Sequence, residues 1–179
     1  MARRNGASST MKAHQVFGGL SPATAGEILE FTYSTDKPLY RTTLDAVAKL
    51  RHVRPVFLER QPRTERHVGM ATALSRPSLE LAADGLIRHW LLKKQTPMLT
   101  EFLDSLKITH DKGVVEDVPP TVDEATLETS VEALLAKYPA EVVAVYLHAF
   151  HEMNENRWSN LGVHLETDPR LQLSKQPAK

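Results

Sequence analysis

The sequence predicts an all-α fold, a compact multi-helix antiparallel bundle, and three observations carry that prediction. Prolines stand where helices would open: Ser21-Pro22, Thr96-Pro97, and Pro77 at the head of PSLELAADGLIRHWLL. Proline suits a first helical turn because its missing N–H would be unpaired there, and a Ser or Thr ahead of it can cap. Behind these openings, apolar residues recur at spacings of three and four. Only one structured stretch reads otherwise. ITHDKGVVED places a turn at Asp111-Lys112-Gly113 between β-branched residues, which suits a small hairpin or ordered loop near 108–118.

Taken in order, residues 1–20 read as a flexible N-terminal tail. Arg3 and Arg4 have no apolar stretch behind them, so MARRNGASSTMKAHQVFGG lacks the form of a signal peptide, and Met11 is an alternative start. Gly18-Gly19 is either a flexible lead-in or a cradle for an anion at the helix that follows. Helices are expected near 21–34, 38–51, 55–75 with a break at Pro62, 77–95, 97–107, 121–138, 139–154 and 158–167. The 77–95 helix is apolar around most of its circumference, with Asp84 and Arg88 marking a narrow polar side, as in a central, enclosed helix. Leu99, Phe102, Leu103 and Leu106 line one face of the next, and Lys107 stands where a helix-ending glycine would be natural. Beyond the breaker Pro119-Pro120, Thr121 and Glu124 have capping-box spacing. Leu127, Val131, Leu134, Leu135 and Tyr138 then form a stripe, with Asp123, Glu124, Glu128 and Glu132 mostly outside it. These elements make one helical domain over 21–171, followed by a flexible C-terminal tail at 172–179. No fixed repeat period holds, which argues against a solenoid.

The chain has 179 residues, 41% of them hydrophobic and 25% charged, the profile of a soluble globular domain able to bury its own core. It contains no cysteine, so disulfides, thiolate metal sites and a cysteine nucleophile are excluded. No apolar run approaches the roughly 20 residues of a membrane span, and a cytoplasmic protein with no membrane partner is the expectation. Net charge is zero, but it is unevenly placed: residues 1–95 carry 15 Lys/Arg against 8 Asp/Glu, and residues 96–168 carry 4 against 14. Either the two halves neutralise each other by packing, or one of them meets a partner.

Two constellations are candidates for chemistry. The first lies in YLHAFHEMNENRW, where His148, His151 and Glu152 could hold a divalent metal. At 100° per residue, Val142, Tyr146, Phe150 and Met153 form the core stripe, which turns both histidines toward the polar side. Exposed His–Glu pairs with Glu152 and Glu155 are the plainer reading. The second is KLRHVRPVFLERQPRTERHV, where Arg51, Arg54, Arg60, Arg63 and Arg66 gather on the most basic stretch of the chain. Such a run binds phosphates or an acidic partner. Glu59 and Glu65 interrupt it, though, and no known nucleic-acid module surrounds it. His110-Asp111 reads as a self-capping loop rather than a catalytic dyad, and His89 as a boundary histidine. Phosphate-loop, dinucleotide, nucleophile-elbow, zincin and EF-hand motifs are all missing, so no catalytic residue and no cofactor is assigned.

The stretches PMLTEFLDSLKITHDKG, EVVAVYLHAF and LGVHLETDPRL together resemble a group of small all-helical bacterial proteins without an assigned activity, over roughly residues 90–171. The resemblance implies a bacterial cytoplasmic helical domain and brings no site residues with it. The expected function is a non-enzymatic interaction or adaptor domain that engages a protein partner or another copy of itself. Arg60, Arg63 and Arg66 would serve on one side, and Glu124, Glu128 and Glu132 on the other. The alternatives are nucleic-acid binding through 49–66, a metal-dependent enzyme at His148/His151, and a small-molecule binder built around Trp90.

Overall fold

The computed structural model describes residues 10–173, and its regular structure is helical throughout. Ten α-helices follow one another: α1 Ala13–Gly19, α2 Pro22–Thr35, α3 Lys37–Leu50, α4 Pro55–Glu59, α5 Arg63–Leu74, α6 Glu80–Lys94, α7 Thr96–Ser105, α8 Glu124–Lys137, α9 Ala140–Met153 and α10 Ser159–Thr167. Short 3-10 turns occupy Pro77–Leu79 and Pro169–Leu171. The break at Pro62 is real and separates α4 from α5. Over 108–118 only a single bridge forms, between Asp111 and Val114, so the non-helical stretch is an ordered loop. None of the described helices is long and apolar enough to cross a membrane.

Local chemistry explains most boundaries. Ser21 caps α2 by accepting from the Thr24 N–H at 3.3 Å, and Asp36 caps α3 by accepting from Leu39 N–H at 3.0 Å. The cap of α8 is Asp123, accepting from Thr126 N–H at 3.0 Å, and not Thr121 as the capping-box spacing suggests. Asp123 lies immediately before the helix, where a side-chain oxygen reaches the first free N–H groups. At the end of α7, Lys107 adopts the left-handed conformation (φ 57°) that its position predicts. Lys107 N–H bonds Asp104 O at 3.0 Å and Ile108 N–H bonds Leu103 O at 2.9 Å, which completes a Schellman motif closed by the buried pair Leu103 and Ile108.

Residues 13–20 correct the expectation of a flexible lead-in. Ala13, Val16, Phe17 and Leu20 are buried at i, i+3, i+4 and i+7, so α1 is amphipathic despite its length. It packs on α5, α6 and α9 and thereby joins the basic half of the chain to the acidic half. The Glu80 carboxylate accepts from the N–H groups of Ala13 (3.0 Å) and His14 (2.9 Å) and from the His14 ring, which satisfies the free donors of this helix start. Gly19 ends α1 under the chain at Leu173: a Cβ there would lie 2.4 Å from the Leu173 carbonyl oxygen. Gly18-Gly19 therefore serves a close backbone approach. Of the tail expected over 172–179, Leu173 is buried, and residues 174–179 lie outside the described residues, as do 1–9.

The most enclosed helix is α9, not α6. Every residue from Val142 to His148 is buried, with Phe150 and His151, because α1, α8, α10 and the Pro169–Leu171 turn all pack on it. α6 leaves Leu81 exposed and Arg88 bonded to Asp84 at 2.8 Å on the outside.

Candidate interaction surface

The predicted metal site does not assemble. His148 and His151 are 6% and 2% exposed, on the inner side of α9, where the helical projection had placed a polar face. His148 Nε2 lies 3.0 Å from the Leu171 carbonyl oxygen, which the C-terminal 3-10 turn brings over the helix. Both His151 ring nitrogens are buried without a partner among the described residues. Burial lowers the pKa of each imidazole, so both are neutral at pH 7, with Glu166 opposing the effect at His151. Glu152 faces away from them, toward α6, and its pKa is raised by burial and then by Glu80 and Asp84. Among the described residues no group of three His, Asp or Glu side chains is placed to hold a metal. His110 is likewise used locally, with Nε2 2.9 Å from Asp104 and Nδ1 accepting from Gly113 N–H at 3.2 Å. His89 lies against Phe31 and bonds the Thr35 hydroxyl at 2.8 Å.

The basic stretch divides in two. Arg66 turns inward from α5, while Arg63 stays half exposed over the Tyr33 ring. Arg66 is only 9% exposed, stacks near Tyr33 and Tyr40, and donates to the Glu59 carbonyl at 3.1 Å. Arg63 covers the Tyr33 ring at 4.8 Å and bonds Glu30 at 3.2 Å. Beside them His67 meets the Tyr40 hydroxyl at 2.8 Å, and burial holds the His67 imidazole neutral and raises the Tyr40 phenol. This polar group borders a cavity of about 350 Å³ between α1, α2 and α5. Its members bond chiefly to one another, as structural networks do.

Arg51, Arg54 and Arg60 behave differently. They stay exposed around α4, and among the described residues none of the three forms an ion pair. α3 ends in a Schellman motif with His52 left-handed (φ 56°), which turns the chain sharply onto α4. Leu58 anchors that five-residue helix in the core. The rest of its apolar surface faces out, with Phe57 56% and Val56 40% exposed, beside Val53 of the preceding turn at 39%. Glu59, the nearest acid, is engaged by Arg41 at 2.8 Å. The result is an exposed aromatic and two valines on a segment whose three exposed arginines form no ion pair among the described residues, with the Arg51 guanidinium lying against Gly69 of α5. The sequence marked the arginines; the combination with Phe57 was legible only in that PVFLE is too apolar for a surface turn.

The acidic side is more occupied. Glu124 bonds His164 at 2.7 Å, Glu132 bonds Arg170, and Glu128 alone of the three has no ion pair among the described residues. No ion pair among the described residues joins 1–95 to 96–168, so the two charge blocks touch without pairing. Their polar link is a helix cap, in which Glu141 accepts from Ser21 N–H at 2.6 Å and from the Ser21 and Thr24 hydroxyls at 2.8 and 2.7 Å. Compared with known protein families, curated proteins and solved structures, the chain matches none.

Proposed function

We propose that the chain is an interaction domain that docks a carboxylate-rich segment of another protein on the α4 surface, with an apolar side chain of that segment covering Phe57. The observation that carries this reading is Phe57, more than half exposed on the segment that carries Arg51, Arg54 and Arg60, none of which has a carboxylate partner among the described residues. Aromatic and arginine side chains supply most of the energy at protein interfaces, and unpaired guanidinium groups steer acidic partners over about a Debye length. A second copy is the weaker match, because two of the three α8 glutamates are already bonded.

The test is capture from extract by the tagged full chain, with nuclease treatment, alongside Phe57→Ser and Arg54→Glu/Arg60→Glu variants. A partner that survives nuclease and is lost from both variants supports the proposal. Capture that disappears with nuclease transfers the surface to nucleic acid and overturns it. Capture that both variants retain overturns it as well.

A further inference from the structure

The cavity of about 350 Å³ between α1, α2 and α5 is walled mainly by apolar side chains, Phe17, Leu20, Ala25 and Ala71 among them. Val68, 62% exposed, is on the wall too, so the space opens to solvent. Trp90, around which a binding site was expected, is fully buried and is not one of the wall residues. Gly26 of α2 also lines the cavity, and a Cβ built on it would meet nothing within 4 Å. Glycine inside a helix is less stable than alanine, and no neighbour demands it here, so what the residue provides is open volume. The titratable groups on the wall are Glu30 and His67, with His67 Nδ1 3.7 Å from a Glu30 carboxylate oxygen. His67 is 5% exposed, and the Tyr40 hydroxyl takes its Nε2 at 2.8 Å. Nδ1 makes no hydrogen bond among the described residues and, unlike the His151 nitrogens, is not wholly enclosed. The carboxylate beside Nδ1 favours a proton there, and the Arg66 guanidinium, which can only donate, draws the Tyr40 lone pairs and leaves the phenol proton to Nε2. Nδ1–H is therefore a donor and Glu30 an acceptor, too far apart to bond each other.

The geometry points to a binding site for a small uncharged alcohol, whose hydroxyl accepts from His67 Nδ1–H and donates to Glu30 while its chain or ring fills the space beside Gly26. An oxygen about 2.8 Å from each group fits across the 3.7 Å gap. Size allows the rest, since an apolar cavity of roughly 150 Å³ already takes benzene. The head group is chosen by what the two wall residues offer. An ammonium reaches Glu30 but has no lone pair for Nδ1–H, and it faces the Arg63 and Arg66 charges that act on His67. A carboxylate accepts from Nδ1–H but has no proton for Glu30 and sets a second negative charge beside it. The two arginines that would attract a carboxylate are already engaged, Arg63 by Glu30 at 3.2 Å and Arg66 by the Glu59 carbonyl at 3.1 Å. A hydroxyl satisfies both wall groups and brings no charge into the apolar space.

The experiment titrates the isotope-labelled full chain with hexanol, hexylammonium and hexanoate, the same chain under three head groups, following the amide signals of Gly26, His67 and Val68. Hexanol is expected to shift them saturably, with each ion about tenfold weaker or more. Gly26→Leu, which fills the cavity, should abolish hexanol binding, and the open space and the helix propensity of leucine both favour its folding. Ala71→Leu serves the same purpose if the first variant does not fold. In Glu30→Gln, which frees Arg63 and removes the opposing charge, hexanoate should gain about tenfold relative to hexanol. The proposal is overturned by any of four results: no saturable shift with hexanol, either ion binding as tightly as hexanol to the parent, hexanol binding retained when the cavity is filled, or an unchanged ratio of hexanoate to hexanol in Glu30→Gln.

Discussion

Tyr146→Phe is expected to make the protein more stable. The phenol ring is held edge-on to Phe102 at 5.5 Å and lies 6.0 Å from Phe150, contacts that phenylalanine keeps without moving. What the substitution removes is one buried hydroxyl with no partner among the described residues. Leaving such a group unsatisfied costs about 1–3 kcal/mol. Some of that is recovered by relaxation of the surroundings, which leaves an expected gain of about 1–2 kcal/mol. For a chain of this length the gain corresponds to a rise in Tm of about 3–6 °C. Urea unfolding and calorimetry read it directly, with the midpoint moving and the slope unchanged. Tyr40→Phe is the control: the same atom is lost, but it bonds His67 at 2.8 Å, so stability should fall by about 1 kcal/mol. A Tyr146→Phe variant as stable as the parent, or less so, would refute the reasoning, because it would mean the hydroxyl is satisfied in solution.

Burial lowers the pKa values of His67, His148 and His151, with neighbouring cations adding to it at His67 and His151 doing so at His148. Below an unfolded value near 6.5 the unfolded chain therefore binds more protons than the native one. Stability is full above that pH and falls as pH drops through it, by up to about 1.4 kcal/mol per pH unit for each such histidine, until the native rings also protonate. Urea unfolding between pH 7.5 and 5.5 should show this, and His151→Leu, which breaks no hydrogen bond among the described residues, should flatten the slope by about one proton. An unchanged slope would show that the ring titrates normally. Gly19→Ala should cost about 1–3 kcal/mol by urea unfolding, because its Cβ meets backbone at Leu173. Gly18→Ala meets only the Ser75 Cβ at 3.5 Å and should be neutral or slightly stabilising. Equal effects at the two glycines would contradict the close approach of the chain end.

Much of the fold was readable because helix starts and stops are local. Ser21, Pro22, Pro62 and Lys107 act on groups within one turn of themselves, and each does in the structure what its position implies. α1 was readable too: its apolar spacing at 13, 16, 17 and 20 is the signal, masked by the glycine pair that follows. The candidate site was half legible. Five arginines in one stretch are plain in the sequence, yet only three stay without an ion-pair or ring contact among the described residues, because α5 presents Arg63 and Arg66 to Tyr33, Tyr40 and Glu30.

The sequence by itself determined the helical class, nearly all the helix boundaries, and the charge imbalance between the two halves, since each follows from residue type and short-range spacing. Tertiary structure decided which faces those helices bury. A projection of α9 assigns one side to solvent, and it has no way to register the Pro169–Leu171 turn, which returns from over 20 residues along the chain to cover His148. Only long-range packing encloses the Tyr146 hydroxyl, and only long-range packing keeps the two charge blocks in contact with no ion pair between them among the described residues. Backbone hydrogen bonding within a helix is satisfied four residues away, whereas burial depends on every element that arrives from elsewhere.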